Sequence, residues 1–252
     1  MSVISFIPAR IGSTRLPRKN LRTVGGVTLI GRAVDCALQA GGGTWRIVVS
    51  VDHPDLLAAA QSRWNGVEYH HQRTATDTSQ IEDAMLDWVS AQTSRTVRGN
   101  DVIVMMQPTS PLRRYEHAWL CAEAVGGGHW DSALTYTADP HAYFGGESIG
   151  LTWVPLLAAG QERPRTQELL GYGYENGACY ATTIGALLSS RLRTSGAVCG
   201  IPMDPWDAVD VDTGRELELA NWIESRLYAT GYIEREATIA CALPALHGRV
   251  TA

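Results

Sequence analysis

The chain has 252 residues, 45% of them hydrophobic, with a formal net charge of -5. That length sustains a large core, and one main domain over residues 1–252 is expected. The acidic balance excludes a global basic field that would draw nucleic acid, and no apolar run approaches the ~20 residues needed to cross a bilayer. Five cysteines (Cys36, Cys121, Cys179, Cys199 and Cys241) are odd in number and lack the paired spacing of a zinc site, so they read as reduced core residues. The amino terminus enters an apolar strand without the charged and apolar regions of a signal peptide, so a cytoplasmic location is expected.

In chain order, short β-branched runs predict strands at Val3 to Ile7, Arg46 to Val51, Val67 to His70, Val102 to Met106 and Ser132 to Thr137. Between the first two, Ile30, Ala33, Val34, Ala37 and Leu38 share one helical face that ends at Gly41. Ile81, Ala84, Met85, Trp88 and Val89 form a second stripe, with Asp77 and Gln80 as a capping box at its start. Strands alternating with helices predict an α/β fold, a Rossmann-like three-layer sandwich around a mostly parallel sheet. From Ala138 to Tyr174 the periodicity fades and Tyr143, Phe144, Gly145, Gly146, Trp153, Pro155 and Pro164 mark an inserted segment, residues 138–174. The clusters Gly25-Gly26, Gly41 to Gly43 and Gly126 to Gly128 read as turns and helix ends. A last helix is expected after Thr213 and Glu216, a second capping box, with Leu219, Ile223 and Leu227 buried; beyond Ile233 the periodicity is weak.

In an open α/β sheet, ligands bind beyond the carboxyl ends of the strands, and three polar motifs fall there. The first runs from Ile7 to Asn20 (IPARIGSTRLPRKN) and holds Arg10, Arg15, Arg18 and Lys19, the only lysine of the chain. A compact ammonium suits a phosphate oxygen, and Gly12 lets the backbone approach a ligand, so the loop reads as a polyphosphate cradle. The alternative is a basic surface loop. The absence of Walker spacing disfavours a P-loop NTPase. The second motif, Gln107 to Arg113 (QPTSPLR), is stiffened by two prolines and aims the Gln107 amide at the same crevice. In the third, Ala208 to Glu216, strand alternation would put Asp210 and Asp212 on one face and Val209 and Val211 on the other. Two hard carboxylate ligands suit Mg²⁺ that also holds triphosphate oxygens; helix capping is the alternative role.

These motifs, with Asn176-Gly177-Ala178-Cys179-Tyr180 between the second and third, occur in an order that resembles the acylneuraminate cytidylyltransferases, which make CMP-sialic acid from CTP and sialate. The resemblance runs from residue 1 to about residue 230. The string Gly12 to Pro17 is shared with CMP-Kdo synthetases. The resemblance implies a fold of the nucleotide-diphospho-sugar transferase type, a homodimer formed through the insertion, and a CTP and small acidic acceptor pair. It implies that Arg10, Gly12, Ser13 and Lys19 hold the triphosphate and Asn20 touches the nucleotide. By the same resemblance Arg73 lies near cytosine, Asp210 and Asp212 bind Mg²⁺, Gln107 and Asn176 line the acceptor side, and Arg165 reads the acceptor's carboxylate.

Two departures concern the acceptor. Where the family has a lysine in a His-Pro-x-Lys context, Asp139-Pro140-His141-Ala142 ends in alanine, and Tyr174-Glu175 stands in place of Arg-Pro before Asn176-Gly177. The expected acceptor is a sialate, with Arg163 replacing the lysine, or a different acid: a small phosphonate such as phosphonoformate, or Kdo. A catalytically silent nucleotide-binding paralogue is the reading from another class.

Overall fold

The computed structural model describes residues 1–72, 80–92, 96–139, 141–142, 146–149, 152–155, 165–168 and 172–228, with backbone alone at 146–149, 152–155, 166 and 227–228. The chain opens with β1 (Val3–Ala9), makes a hairpin of β2 (Thr23–Val24) and β3 (Val27–Thr28), and enters α1 (Leu29–Gly41). There follow β4 (Arg46–Val51), α2 (Pro54–Gln61), β5 (Glu68–His71), α3 (Ile81–Ser90), β6 (Val102–Met106), α4 (Tyr115–Gly126) and β7 (Ser132–Ala138). Within the inserted segment β8 (Gly146–Ile149) and β9 (Thr152–Pro155) pair with each other. The chain returns through β10 (Gly173–Thr183), α5 (Ile184–Ser190), β11 (Val198–Pro202) and α6 (Gly214–Trp222), which continues as a π-helical turn, Ile223–Tyr228.

One seven-stranded sheet, ordered β11-β7-β10-β6-β1-β4-β5, carries the domain. All its pairings are parallel except those of β10, which runs antiparallel to β6 and β7. Strand alternation splits the core into two layers. Val102, Val104 and Met106 face the side covered by α1, α2 and α4, and Ile103 and Met105 face α3 and α5. Helix α1 starts where the Thr28 hydroxyl accepts from the Gly31 amide at 3.1 Å and stops at Gly42, in the left-handed region at φ 53°. Gly41 is fixed by packing: a Cβ there would stand 2.5 Å from the Trp45 ring. Among the described residues, no helix is long and apolar enough to cross a membrane.

Several sequence expectations are corrected. Neither β10 nor β11 was predicted, because Asn176-Gly177 and Gly200 break up the strand pattern. Tyr174 pairs with Thr137 and Gly173 with Ala138, so the two ends of the insertion are zipped together in the sheet. The segment before α6 is a turn at residues 205–208 followed by coil, not a strand. In α6 the buried residue is Ala220, followed by Ile223, whereas Leu219 is exposed and the Leu227 side chain lies outside the description. The cap of α3 is Gln80 with Asp83 rather than Asp77 with Gln80; Asp77 is outside the described residues. Thr213 and Glu216 do form the expected box, the Thr213 amide donating to Glu216 Oε2 at 2.7 Å. Four of the cysteines are free and buried as expected; Cys241 lies outside the described residues.

Candidate active site

A cleft of about 430 Å³ opens across the carboxyl ends of β1, β5 and β6. On one side the loop after β1 contributes Arg10, Gly12, Ser13, Lys19 and Asn20. Its course is fixed by polar ties: the Ile11 amide donates to Asp52 Oδ1 at 2.8 Å, Asn20 Nδ2 donates to the Arg10 carbonyl at 3.0 Å, and Arg18, at φ 54°, pairs with Asp55. Asn20 is therefore also a brace of the loop, buried except for its edge on the cleft. A Cβ on Gly12 would meet no protein atom, so only a ligand would feel it.

Asp212 reaches this loop from the other end of the chain. Lys19 Nζ donates to its Oδ1 at 2.7 Å, and Arg15 pairs with its Oδ2 at 2.7 Å. Partial burial alone would raise the Asp212 pKa, but the two cations outweigh it and hold the carboxyl below its ordinary value. Asp210 behaves oppositely. Desolvation by the surrounding protein raises its pKa, the charge of Asp212 adds to that, and a hydrogen bond with Thr109 opposes both. The segment is held by Val211, fully buried against Val24, Leu29, Leu112 and Ile223, its amide donating to the Thr109 carbonyl at 2.7 Å. Asp212 lines the cleft; Asp210 is exposed and does not line it, but hydrogen-bonds with Thr109, which does. Among the described residues, no group of three or more His, Cys, Asp or Glu could by itself hold a metal ion.

The Gln107 to Arg113 loop is positioned from below. Arg113 is buried, and its Nη1 donates to the carbonyls of Gln107 and Ala178, each at 2.8 Å. That ties the loop after β6 to an irregularity in β10 between Glu175 and Tyr180, where Gly177 takes φ 78°. Gln107 faces the cleft as expected. Asn176 does not: its Oδ1 accepts from the Thr135 hydroxyl at 2.7 Å and its Nδ2 donates to Thr137 Oγ1 at 3.2 Å, so it fastens the bulge to β7. Arg165 is exposed at the start of the turn Thr166–Glu168 and does not line the cleft. Arg73 lies outside the described residues.

The far wall was not legible as a site. His70 in β5 and Gln72 just after it, with Gln80 at the cap of α3 and Asp83 and Asp87 within α3, also line the cleft. The signal was weak: a polar residue at an inward position of β5, and a polar face on α3 that ordinarily means contact with solvent.

A mostly parallel sheet with one antiparallel strand, carrying a cation-lined cleft at its carboxyl edge, is the nucleotide-diphospho-sugar transferase fold. It aligns with the structure of CMP:2-keto-3-deoxy-manno-octonic acid synthetase complexed with CTP at a TM-score of 0.62 and 19% identity, over 92% of this chain and 100% of that one. Residues 4–125 match the family model described as cytidylyltransferase. It is 27% identical to N-acylneuraminate cytidylyltransferase A of Danio rerio, over 93% of this chain and 53% of the relative. It is 35% identical to the CMP-N,N'-diacetyllegionaminic acid synthase of Legionella pneumophila, over 46% of this chain and 50% of the relative. The chain thus spans about half the length of these curated relatives.

Proposed function

We propose that the protein transfers CMP from CTP to a small acidic acceptor and releases pyrophosphate. The observation that carries this reading is the convergence of Lys19 and Arg15 on Asp212 inside the cleft: two cations poised where a polyphosphate would displace a carboxylate. An acceptor oxygen attacks the α-phosphorus in line while pyrophosphate leaves, with no covalent enzyme intermediate; a hydroxyl acceptor gives its proton to Asp210 or Asp212, whereas an anionic phosphonate has none to lose. Lys19 and Arg10 stabilise the charge that develops on the leaving group, and Gln107 faces the acceptor. Asp212, released from Lys19 by the triphosphate, together with Asp210 would hold Mg²⁺. Two hard oxygen donors whose mutual repulsion a dication would relieve fit that ion, with phosphate and water completing its shell. Bound there, Mg²⁺ would neutralise phosphoryl charge.

The acceptor reading follows the relatives, whose names specify nine-carbon and related acidic sugars. A smaller phosphonate is kept as a second reading because Ala142 stands where the resemblance expects a lysine, and Asn176 is turned into the sheet. We also propose a homodimer formed through residues 138–174 and a cytoplasmic location. Pyrophosphate release from CTP with a panel of acids tests the activity: turnover with at least one acid is expected. CTP that binds but stays intact with every acid would favour the silent paralogue.

A further inference from the structure

Gln72 lines the cleft and directs its amide nitrogen into the wall: Nε2 donates to the Ser50 carbonyl at 2.9 Å and to Ser50 Oγ at 3.0 Å. A carbonyl oxygen only accepts, so chemistry sets the orientation of this amide, and both of its hydrogens are committed. The Ser50 hydroxyl, having accepted from Gln72, passes its own hydrogen to His70 Nδ1 at 2.8 Å. A neutral imidazole then carries its hydrogen on Nε2, which donates to Asp87 Oδ2 at 3.0 Å. Ser50 and His70 are buried, so the chain is braced by the sheet rather than by solvent.

Gln72 can therefore meet a ligand only through Oε1, which accepts no hydrogen bond among the described residues. Asp83 and Asp87, on the cleft face of α3, offer carboxylate oxygens beside it. Gln72 Oε1 and these two carboxylates make this part of the lining rich in acceptors, beside the Gln80 amide, whereas the β1 loop supplies cations. In the sheet, β4 and β5 lie on one side of β1 and β6 on the other, which places Gln72 roughly 10 Å from the β1 edge at the strand spacing of ~4.8 Å. A triphosphate on the β1 loop, with the acceptor on the β6 side, leaves the β5 side for the nucleoside.

Resting on the cytidylyltransferase reading, we propose that the Gln72 amide, locked by Ser50, selects a nucleobase bearing an amine at position 4 and so sets a preference for CTP over UTP. Cytosine presents N4 hydrogens where uracil presents O4, and a locked acceptor facing O4 leaves two oxygens opposed with no hydrogen between them. A rotatable amide would adapt by turning over. This one would have to give up both bonds to Ser50.

The test is equilibrium binding of CTP, UTP and the 4-deamino analogue of CTP, each with Mg²⁺, to the wild-type chain and to Gln72→Met. The wild type is expected to bind CTP at least about tenfold more tightly than either other nucleotide, and Gln72→Met to lose most of that ratio through weaker CTP binding and relieved UTP binding, with the 4-deamino analogue little changed. Equal weakening of all three, as a structural or ribose-reading role would give, overturns the inference. So does an unchanged ratio. If Gln72→Met does not fold, the wild type decides: equal affinity for CTP and its 4-deamino analogue refutes the proposal. A wild type that binds none of the three would instead overturn the cytidylyltransferase reading itself.

Discussion

Lys19 and Arg15 grip Asp212 from two sides, and the three side chains differ in exposure: 16% for Lys19, 66% for Arg15 and 31% for Asp212. The pair with Lys19 is the sheltered one, so Lys19 is the cation whose charge a phosphate would feel most strongly. Lys19→Ala is expected to lower turnover about a hundredfold, the equivalent of ~3 kcal/mol of lost transition-state stabilisation, while the melting temperature changes little. Near-normal turnover would remove the phosphate role. Asp212→Asn tests the other partner. Because Thr213 provides the helix cap, the substitution should cost no more than ~1 kcal/mol in a denaturant titration while sharply weakening the response of activity to magnesium. A wild-type magnesium response in that variant would leave Asp212 as a simple counter-ion. The folded Asp212 pKa is depressed, so its contribution to stability is complete above the ordinary carboxylate value of ~3.9 and is lost as pH falls through the lower folded value.

The elements that aim these residues depend on buried polar fastenings. In Arg113→Met the carbonyls of Gln107 and Ala178 lose their shared donor. A loss of ~2 to 4 kcal/mol in urea unfolding is expected, together with a weakened acceptor KM as the Gln107 loop loosens. An unchanged unfolding midpoint would show that backbone pairing alone holds that loop. At the start of α4, His117 is fully buried and its Nδ1 accepts from the Arg114 amide at 3.3 Å. Burial, reinforced by Arg114 and Arg113, lowers its pKa to about 3. Between that value and the ordinary ~6.5 the unfolded chain binds a proton that the folded chain refuses. Stability is therefore complete above ~6.5 and falls with decreasing pH, by up to ~1.4 kcal/mol per pH unit. His117→Gln, which keeps an acceptor at the capping position, should flatten that slope; a slope as steep as wild type would assign it to other groups.

At the scale of the whole molecule, assays with CTP and N-acetylneuraminate, Kdo or phosphonoformate separate the acceptor readings. Losing one charge-assisted contact to the acid's carboxylate should lower sialate use about ten- to a hundredfold relative to an acid that the remaining cations can reach. Efficient turnover of N-acetylneuraminate alone would make Ala142 and Tyr174-Glu175 neutral changes. Sedimentation is expected to give about twice the 27.3 kDa chain mass, and a monomer at micromolar concentration would refute the dimer. The sequence by itself determined the strand and helix alternation, and marked the Arg10 to Lys19 and Gln107 loops and Asp212 that the structure brings to the cleft, because binary pattern, caps and local turn chemistry are written in neighbouring residues. Only the tertiary structure decided that Asn176 is a fastener and that the antiparallel β10 closes the insertion. It also brought His70, Gln72, Asp83 and Asp87 together as the far wall. Those outcomes depend on partners distant in sequence, 41 positions for Thr135 with Asn176 and 17 for His70 with Asp87, and no local periodicity specifies which polar residue a sheet will turn inward.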